Sequence, residues 1–238
     1  MAMSPPEAVS RRCAESGFTL LELIIGLALV SIIMLMLFSS LSLGSRTWEG
    51  LEARNRALTN QLLVRGFIQR SLMQARLISL TTGEGAKMMF SGDATRLEYA
   101  APLSRNVGYG GLYILRLGLQ EVDGRQQLWL TRWLAHPEVL EGTAEIPAWE
   151  PLEKVSFQGF LEAADDDAVE AIFGQTPLLE DVEALTIEYY GMPGGEREDD
   201  WHEEWLEQSR PPRLVRIRIQ PATGSAPWPD LLIQLSDA

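Results

Sequence analysis

One carboxylate stands where its charge is hard to accommodate. Glu22 begins a stretch in which the next charged residue is Arg46, after 23 uncharged positions, and the run Leu23–Phe38 is nearly all apolar. A carboxylate at membrane depth costs a few kcal/mol unless a cation meets it. Cleavage between Gly17 and Phe18 would create that cation, an α-ammonium four residues before Glu22. A neighbouring copy would present the same group, and a carboxylate–ammonium pair between chains would lower the charge cost and set the axial register of packed helices. The plain alternative is a Glu22 that sits hydrated at the membrane edge.

Other polar clusters offer less. Asp165, Asp166 and Asp167, and then Glu198, Asp199, Asp200, Glu203 and Glu204, are the candidates for a hard cation. Consecutive aspartates send their carboxylates in diverging directions and match no calcium-loop pattern of alternating ligands and turn residues, so both clusters read as solvated acidic loops. His136 precedes Pro137 at a strand end, and His202 lies among Glu198 and Glu203. One histidine among acids is not a zinc site, which needs three or four converging ligands. Gly108–Gly111 is a loop rather than a phosphate cradle, and no nucleophile elbow or cysteine nucleophile is present. These residues imply no enzyme activity, no catalytic residue, no metal and no cofactor.

The elements that must position Glu22 follow from hydropathy. About 20 apolar residues in a helix span the hydrocarbon core. No small-residue cleavage site follows the run, so the segment is expected to be retained, unlike a secretory signal. Arg11 and Arg12 precede it and favour a cytoplasmic N-terminus, a bias weakened by Arg46, Arg54 and Arg56 on the far side. The net charge of −13, from 33 acidic and 20 basic side chains, disfavours binding to nucleic acid or anionic lipid. The only cysteine, Cys13, lies upstream of the apolar run, so the rest of the chain has neither thiol nor disulfide.

The segment Ser16–Ile33 resembles the N-terminal motif of type IV prepilins and type II secretion pseudopilins, through Gly17-Phe-Thr-Leu-Leu-Glu22 followed by some twenty apolar residues. That resemblance implies that a prepilin peptidase cuts after Gly17 and N-methylates Phe18. It also implies that Glu22, fifth in the mature chain, serves subunit docking and methylation. The leader is long for the family, and Glu15 lies close to the cut; translation from Met3 in place of Met1 would shorten it.

Beyond the apolar run, no proline occurs between Arg46 and Leu80. Trp48, Leu51, Leu58 and Leu62 fall on one helical face, to which Leu72 and Met73 return. Arg65 and Gln69 interrupt that stripe, while Val64 and Phe67 point elsewhere. The pattern predicts either one helix of roughly fifty residues, about 75 Å long, or two helices broken near Gly44-Ser45. After Leu80 strand character takes over, with predicted strands at Lys87–Phe90, Arg96–Ala101, Leu112–Leu119, Gln127–Ala135, Val155–Leu161, Val182–Tyr190, Leu214–Gln220 and Leu231–Leu235. A hairpin is expected at Asp123-Gly124, and loops at Glu162–Glu170 and Gly191–Glu207. Trp129, Trp133, Tyr113, Tyr189 and Phe157 read as core or sheet-face aromatics. The predicted class is α+β: a long N-terminal hydrophobic helix packed against antiparallel sheet, pilin-like by resemblance. The expected division is a leader at 1–17, a transmembrane and filament-core helix at 18–43, its periplasmic continuation at 44–80, and a β-rich globular domain at 81–238.

Arg96-LEYAAPLSRN, Leu112-YILRLGL, Leu128-WLTRW, Leu179-EDVEALTIEYYG and Pro212-RLVRIRI, in that order, resemble the J-type (GspJ-like) minor pseudopilin family of type II secretion. Major subunits carry a proline near the position of Ser39, and this chain does not. The resemblance implies an inner-membrane protein with a periplasmic domain, at the tip of the pseudopilus. Its implied partners are H-, I- and K-type minor pseudopilins, the major pseudopilin, the prepilin peptidase and the inner-membrane assembly platform, with no nucleic acid. Two other readings stand beside it: a minor pilin of a type IV pilus or competence system, and a membrane-tethered periplasmic binding protein or enzyme.

Overall fold

The computed structural model describes residues 19–82, 85–104, 110–154, 167–194, 198–222 and 228–235. The predicted strand Val155–Leu161, with Phe157, lies outside them, as do the side chains of Trp48 and Leu51. The chain divides into two compact units, Met1–Arg56 and Ala57–Ala238. One helix, α1 (Leu20–Met73), is continuous through Gly44-Ser45, so of the two helical alternatives the unbroken one is found.

In the first unit, Leu20–Leu41 is long and apolar enough to cross a membrane, and its side chains are exposed. The hydroxyls of Ser31 and Ser39 donate to the carbonyls of Leu27 and Leu35, at 2.8 and 2.9 Å. This back-bonding gives each hydroxyl a partner inside the helix, which an apolar solvent cannot supply.

The second unit contains the end of α1 and two antiparallel sheets. A small hairpin pairs β1 (Ser79–Thr82) with β2 (Gly85–Met88). The larger sheet has the order β3-β4-β5-β6-β7, from Phe90–Gly92, Arg96–Leu103, Gly111–Val122, Arg125–Leu134 and Phe173–Leu179. The other sheet has the order β11-β10-β8-β9, from Leu231–Gln234, Leu214–Pro221, Val182–Gly191 and Asp200–His202. Two short helices, α2 (Pro137–Leu140) and α3 (Asp167–Ile172), flank a 3-10 turn at Leu152–Lys154. Val122 pairs with Arg125, so Asp123-Gly124 forms a two-residue turn with φ of 51° and 75°, the mirror-image geometry that matches strand twist.

One core lies between the two sheets and takes in Val64, Ile68 and Leu72 of α1, Leu97 and Tyr99 of β4, Leu115 and Leu117 of β5, and Ile187, Tyr189, Val215, Ile217 and Ile233. The helix buries the i, i+4, i+8 row Val64-Ile68-Leu72. Of the stripe read from the sequence, Leu72 is buried, whereas Leu58, Leu62 and Met73 are exposed, Leu62 by 70% and Met73 by 53%. Val64 belongs to the core and Phe67 packs against it. Apolar residues occupy both sides of this helix, and a stripe interrupted by Arg65 and Gln69 cannot be the one that meets a dry sheet. On the two sides of the buried row, Asn60 Nδ2 donates to the Leu178 carbonyl of β7, at 3.3 Å, and Arg65 Nη1 to the Pro229 carbonyl before β11, at 2.9 Å. The helix thus contacts an edge strand of each sheet through side chains that satisfy edge carbonyls, a form of edge protection.

Four strands differ from expectation in kind, not only in their ends. The predicted Lys87–Phe90 is two strands, β2 and β3, meeting at Met89. β1, β7 and β9 were not expected: β7 contains Gly174 and Pro177, which edge strands tolerate, and β9 lies in the segment predicted as a loop, 191–207. Trp205, from that same segment, is 1% exposed and bridges to Gly92 by hydrogen bonds in both directions. The predicted loop Glu162–Glu170 contains the start of α3 at Asp167. Trp133, Tyr113 and Tyr189 are buried, and Trp129 lies half-buried on the sheet with its indole N–H donated to Gln127 at 3.1 Å.

Candidate assembly interface

Gly17 and Phe18 lie outside the described residues. The description begins at Thr19, whose hydroxyl accepts a hydrogen bond from the Glu22 backbone N–H at 3.3 Å. Thr19-Leu-Leu-Glu22 therefore begins α1 as an N-cap with an acid three residues on, the order of a capping box. The carboxylate of Glu22 sits in the first turn, where the helix dipole favours negative charge. Glu22 is thus placed by its own helix terminus and remains exposed to whatever lies alongside. Thr19 carries a structural job the cleavage motif alone does not reveal, and Thr-x-x-Glu was the signal for it.

The acidic candidates do not converge. Asp165 and Asp166 lie outside the described residues, and among those described no group of three or more His, Cys, Asp or Glu is placed to hold a metal ion. Asp199 pairs with Arg213 at 2.5 Å, and Asp200 Oδ1 accepts the Trp201 backbone N–H at 2.7 Å. His202 packs edge-on to Trp205, with ring centroids 6.0 Å apart. His136 precedes α2 and donates its backbone N–H to Leu134 O. These acids and histidines serve the fold around β9 and α2.

Titratable groups with shifted behaviour also belong to the fold. Burial pushes the Glu98 carboxyl above its usual range, against the pull of Arg116. Burial raises the Tyr99 hydroxyl as well; it shares a 2.7 Å hydrogen bond with Ser71 of α1. At Asp93, burial pushes upward, but hydrogen bonds from Arg96 and Thr95 and the Arg96 charge bring the carboxyl below its usual range.

α1 presents an apolar N-terminal half with one acid, then a stretch with one buried row and one exposed row. A family model for the prokaryotic N-terminal methylation motif matches residues 12–38. The chain is also 26% identical over 230 residues to a type II secretion system protein J from Xanthomonas campestris pv. campestris, an alignment that covers 94% of each chain. The chain is a GspJ-like prepilin-type protein. Among solved structures it is similar to a chain of the GspK-GspI-GspJ complex from the type 2 secretion system of enterotoxigenic Escherichia coli, at 14% identity and a TM-score of 0.41, covering 76% of this chain and 99% of that one. The proteins that this GspJ-like chain is related to are structural parts of a secretion system, not an enzyme family. One apolar helix beside the methylation motif fits a single-pass, membrane-anchored protein.

Proposed function

We propose that this GspJ-like chain is a minor pseudopilin, which primes the pseudopilus of type II secretion from its tip and thereby supports protein export across the outer membrane. The observation that carries the reading is the colinear similarity to a type II secretion protein J along 94% of both chains, with the methylation motif at residues 12–38. A match confined to the motif would fit any prepilin; one running through the β-rich domain favours the secretion protein over a type IV pilus subunit.

The mechanism is physical. A prepilin peptidase cuts between Gly17 and Phe18 and methylates the new Phe18 amine. The leader faces the cytoplasm, Leu20–Leu41 stays in the inner membrane, and the β-rich domain faces the periplasm. On extraction into the filament, Glu22 of one subunit meets the Phe18 ammonium of a neighbour, and the pairing supplies the counter-charge that hydrocarbon does not. Other minor pseudopilins (H-, I- and K-type), the major pseudopilin and the assembly platform are the partners. The chain catalyses no reaction, and residues 18–43, 44–80 and 81–238 act as anchor, stalk and docking domain.

Mass spectrometry of the native chain from membranes tests the processing step: the expected N-terminus is N-methyl-Phe18, and an uncut chain starting at Met1 or Met3 overturns it. Deletion of the gene is expected to abolish export of secreted proteins while their periplasmic precursors accumulate. Glu22→Ala is expected to leave the cut intact and to stop assembly; normal export by that variant would refute the docking role.

A further inference from the structure

The exposed row of α1 in the second unit is apolar, and the charge around it has one sign. Leu58, Leu62 and Met73 are exposed at i, i+4 and i+15, with Leu63 beside them. Between Leu62 and Met73 the row is broken by Gly66 and Gln69, and the Arg70 guanidinium closes over the glycine notch: a Cβ added at Gly66 would stand 3.2 Å from Arg70 Nη1. Arg70 is exposed and makes no ion pair among the described residues. Residues 53–76 contain Arg54, Arg56, Arg65, Arg70 and Arg76 and no acid, whereas residues 77–238 hold 12 basic against 28 acidic residues. A cationic helix segment is thus attached to a strongly anionic domain.

We infer that this row, from Leu58 to Met73 with Arg70 at its notch, docks the corresponding helix of a different prepilin-like subunit, one whose facing residues are acidic. The inference rests on the proposed function and adds the chemistry of the partner. Leucine and methionine side chains at helical spacing offer the ridge that a second helix packs into. The charge then selects the partner. A second copy would bring the same arginines against each other, and like charges juxtaposed across an interface suppress the wrong partner. An acidic helix would place a carboxylate over Gly66, within reach of a guanidinium that can hold it with two hydrogen bonds. The contact is therefore heterotypic, with register set by one notch.

The test uses the full-length chain in secretion-competent cells, with a photo-crosslinking residue at Leu62 and, as a control, at Leu232, which is exposed on β11. The expected product from Leu62 is an adduct to another prepilin-like subunit, mapped by mass spectrometry to a helical peptide richer in Asp and Glu than in Lys and Arg. Arg70→Glu should lower its yield about tenfold, and Arg70→Lys should lower it less, by about threefold, because the charge is retained while the grip of two hydrogen bonds is lost. An adduct to a second copy, to phospholipid or to a basic peptide would overturn the inference, as would no adduct or equal yields from Arg70→Glu. The N-terminus of the same preparation separates the two failures: N-methyl-Phe18 with no Leu62 adduct sinks only the docking surface, and an unprocessed chain sinks the proposed function itself.

Discussion

The two faces of the five-stranded sheet are covered by different means. The inner face meets α1 and the second sheet through a dry core of Leu, Ile, Val and Tyr. The outer face meets the segment between β6 and β7, where Val139, Ile146, Trp149 and Val169 cluster with Ala100, Ile114, Trp133 and Phe173 of the sheet. Among the described residues the regular structure of that cover is α2, α3 and a 3-10 turn, and a buried ion pair fastens it. Arg116 on β5 meets Glu98 on β4 at 2.5 Å, donates to the Glu150 carbonyl, and lies 5.0 Å from the centroid of the Trp133 ring. Trp149 donates its indole N–H to the same Glu98 carboxylate at 3.2 Å, and Ser91 donates to Glu153 at 2.5 Å. Elements with regular backbone hydrogen bonds can be held by shape alone. A cover of loops has few such bonds, so side chains must both anchor it and satisfy its carbonyls.

The comparison breaks most sharply at Arg116. Arg116→Met leaves Glu98 buried without its counter-charge, and the expected loss is roughly 3–5 kcal/mol, read as a lower urea midpoint. Replacing both members, Glu98→Leu with Arg116→Met, should restore most of it, because two apolar groups of similar volume need no partner. The pH dependence has a definite sign. Folded Glu98 holds its proton more tightly than an unfolded glutamate, so its contribution is complete below the ordinary glutamate range and is lost as pH rises through the folded value. Arg116→Met should therefore regain stability between pH 7 and pH 5. Asp93, which binds Arg96 at 2.6 Å in the turn that supports Tyr189, has the opposite sign. Its carboxyl is lowered, so its contribution is present at neutral pH and is lost as pH falls through the folded value. A midpoint for Arg116→Met that does not move with pH would contradict the account of Glu98.

On the inner face the equivalent break is Leu72→Ala, expected to cost about 3 kcal/mol, since the residue is fully buried in the main core. The strand alternation of Leu214–Pro221, the hairpin at Asp123-Gly124 and the apolar run after Glu22 are local patterns, and local patterns survive into the structure. The helix face was harder: with apolar residues at Leu58, Leu62 and Met73 as well as Val64, Ile68 and Leu72, periodicity names two rows and cannot say which one is dry. The polar steps Arg65 and Gln69 held that information. β7 and Trp205 were hidden for another reason, since Gly174 and Pro177 resemble turn residues, and Trp205 is embedded among acids that belong to the surface. Nothing local marks a lone tryptophan as the residue that ties β3 to the second sheet. The methylation motif at residues 12–38 was legible because such a motif is local sequence, and the proposed cut before Phe18 and docking role of Glu22 rest on it.

A smaller effect separates the anchoring role of the outer polar groups from their bulk. Trp149→Phe keeps most of the ring in the cover but removes the donor to Glu98, and should cost about 1 kcal/mol. In the Glu98→Leu, Arg116→Met background the same change should cost less, because no carboxylate is left to satisfy. Equal losses in both backgrounds would mean that Trp149 contributes only its packing. A thermodynamic cycle of urea midpoints distinguishes the two.

The smallest expected change lies on the same helix as one of the largest. Leu62→Ala removes as many atoms as Leu72→Ala, from a position ten residues earlier, yet the isolated chain should change in stability by less than about 0.5 kcal/mol, since the side chain is already 70% exposed. An exposed leucine gives up little apolar burial when it is shortened. If thermal melts of detergent-solubilised Leu62→Ala show a loss approaching that of Leu72→Ala, the helix faces are assigned the wrong way round and the core row Val64-Ile68-Leu72 is not what holds α1 to the sheets. If the melts coincide with the parent chain while assembly in cells falls, the leucine is kept for a surface that only another subunit covers.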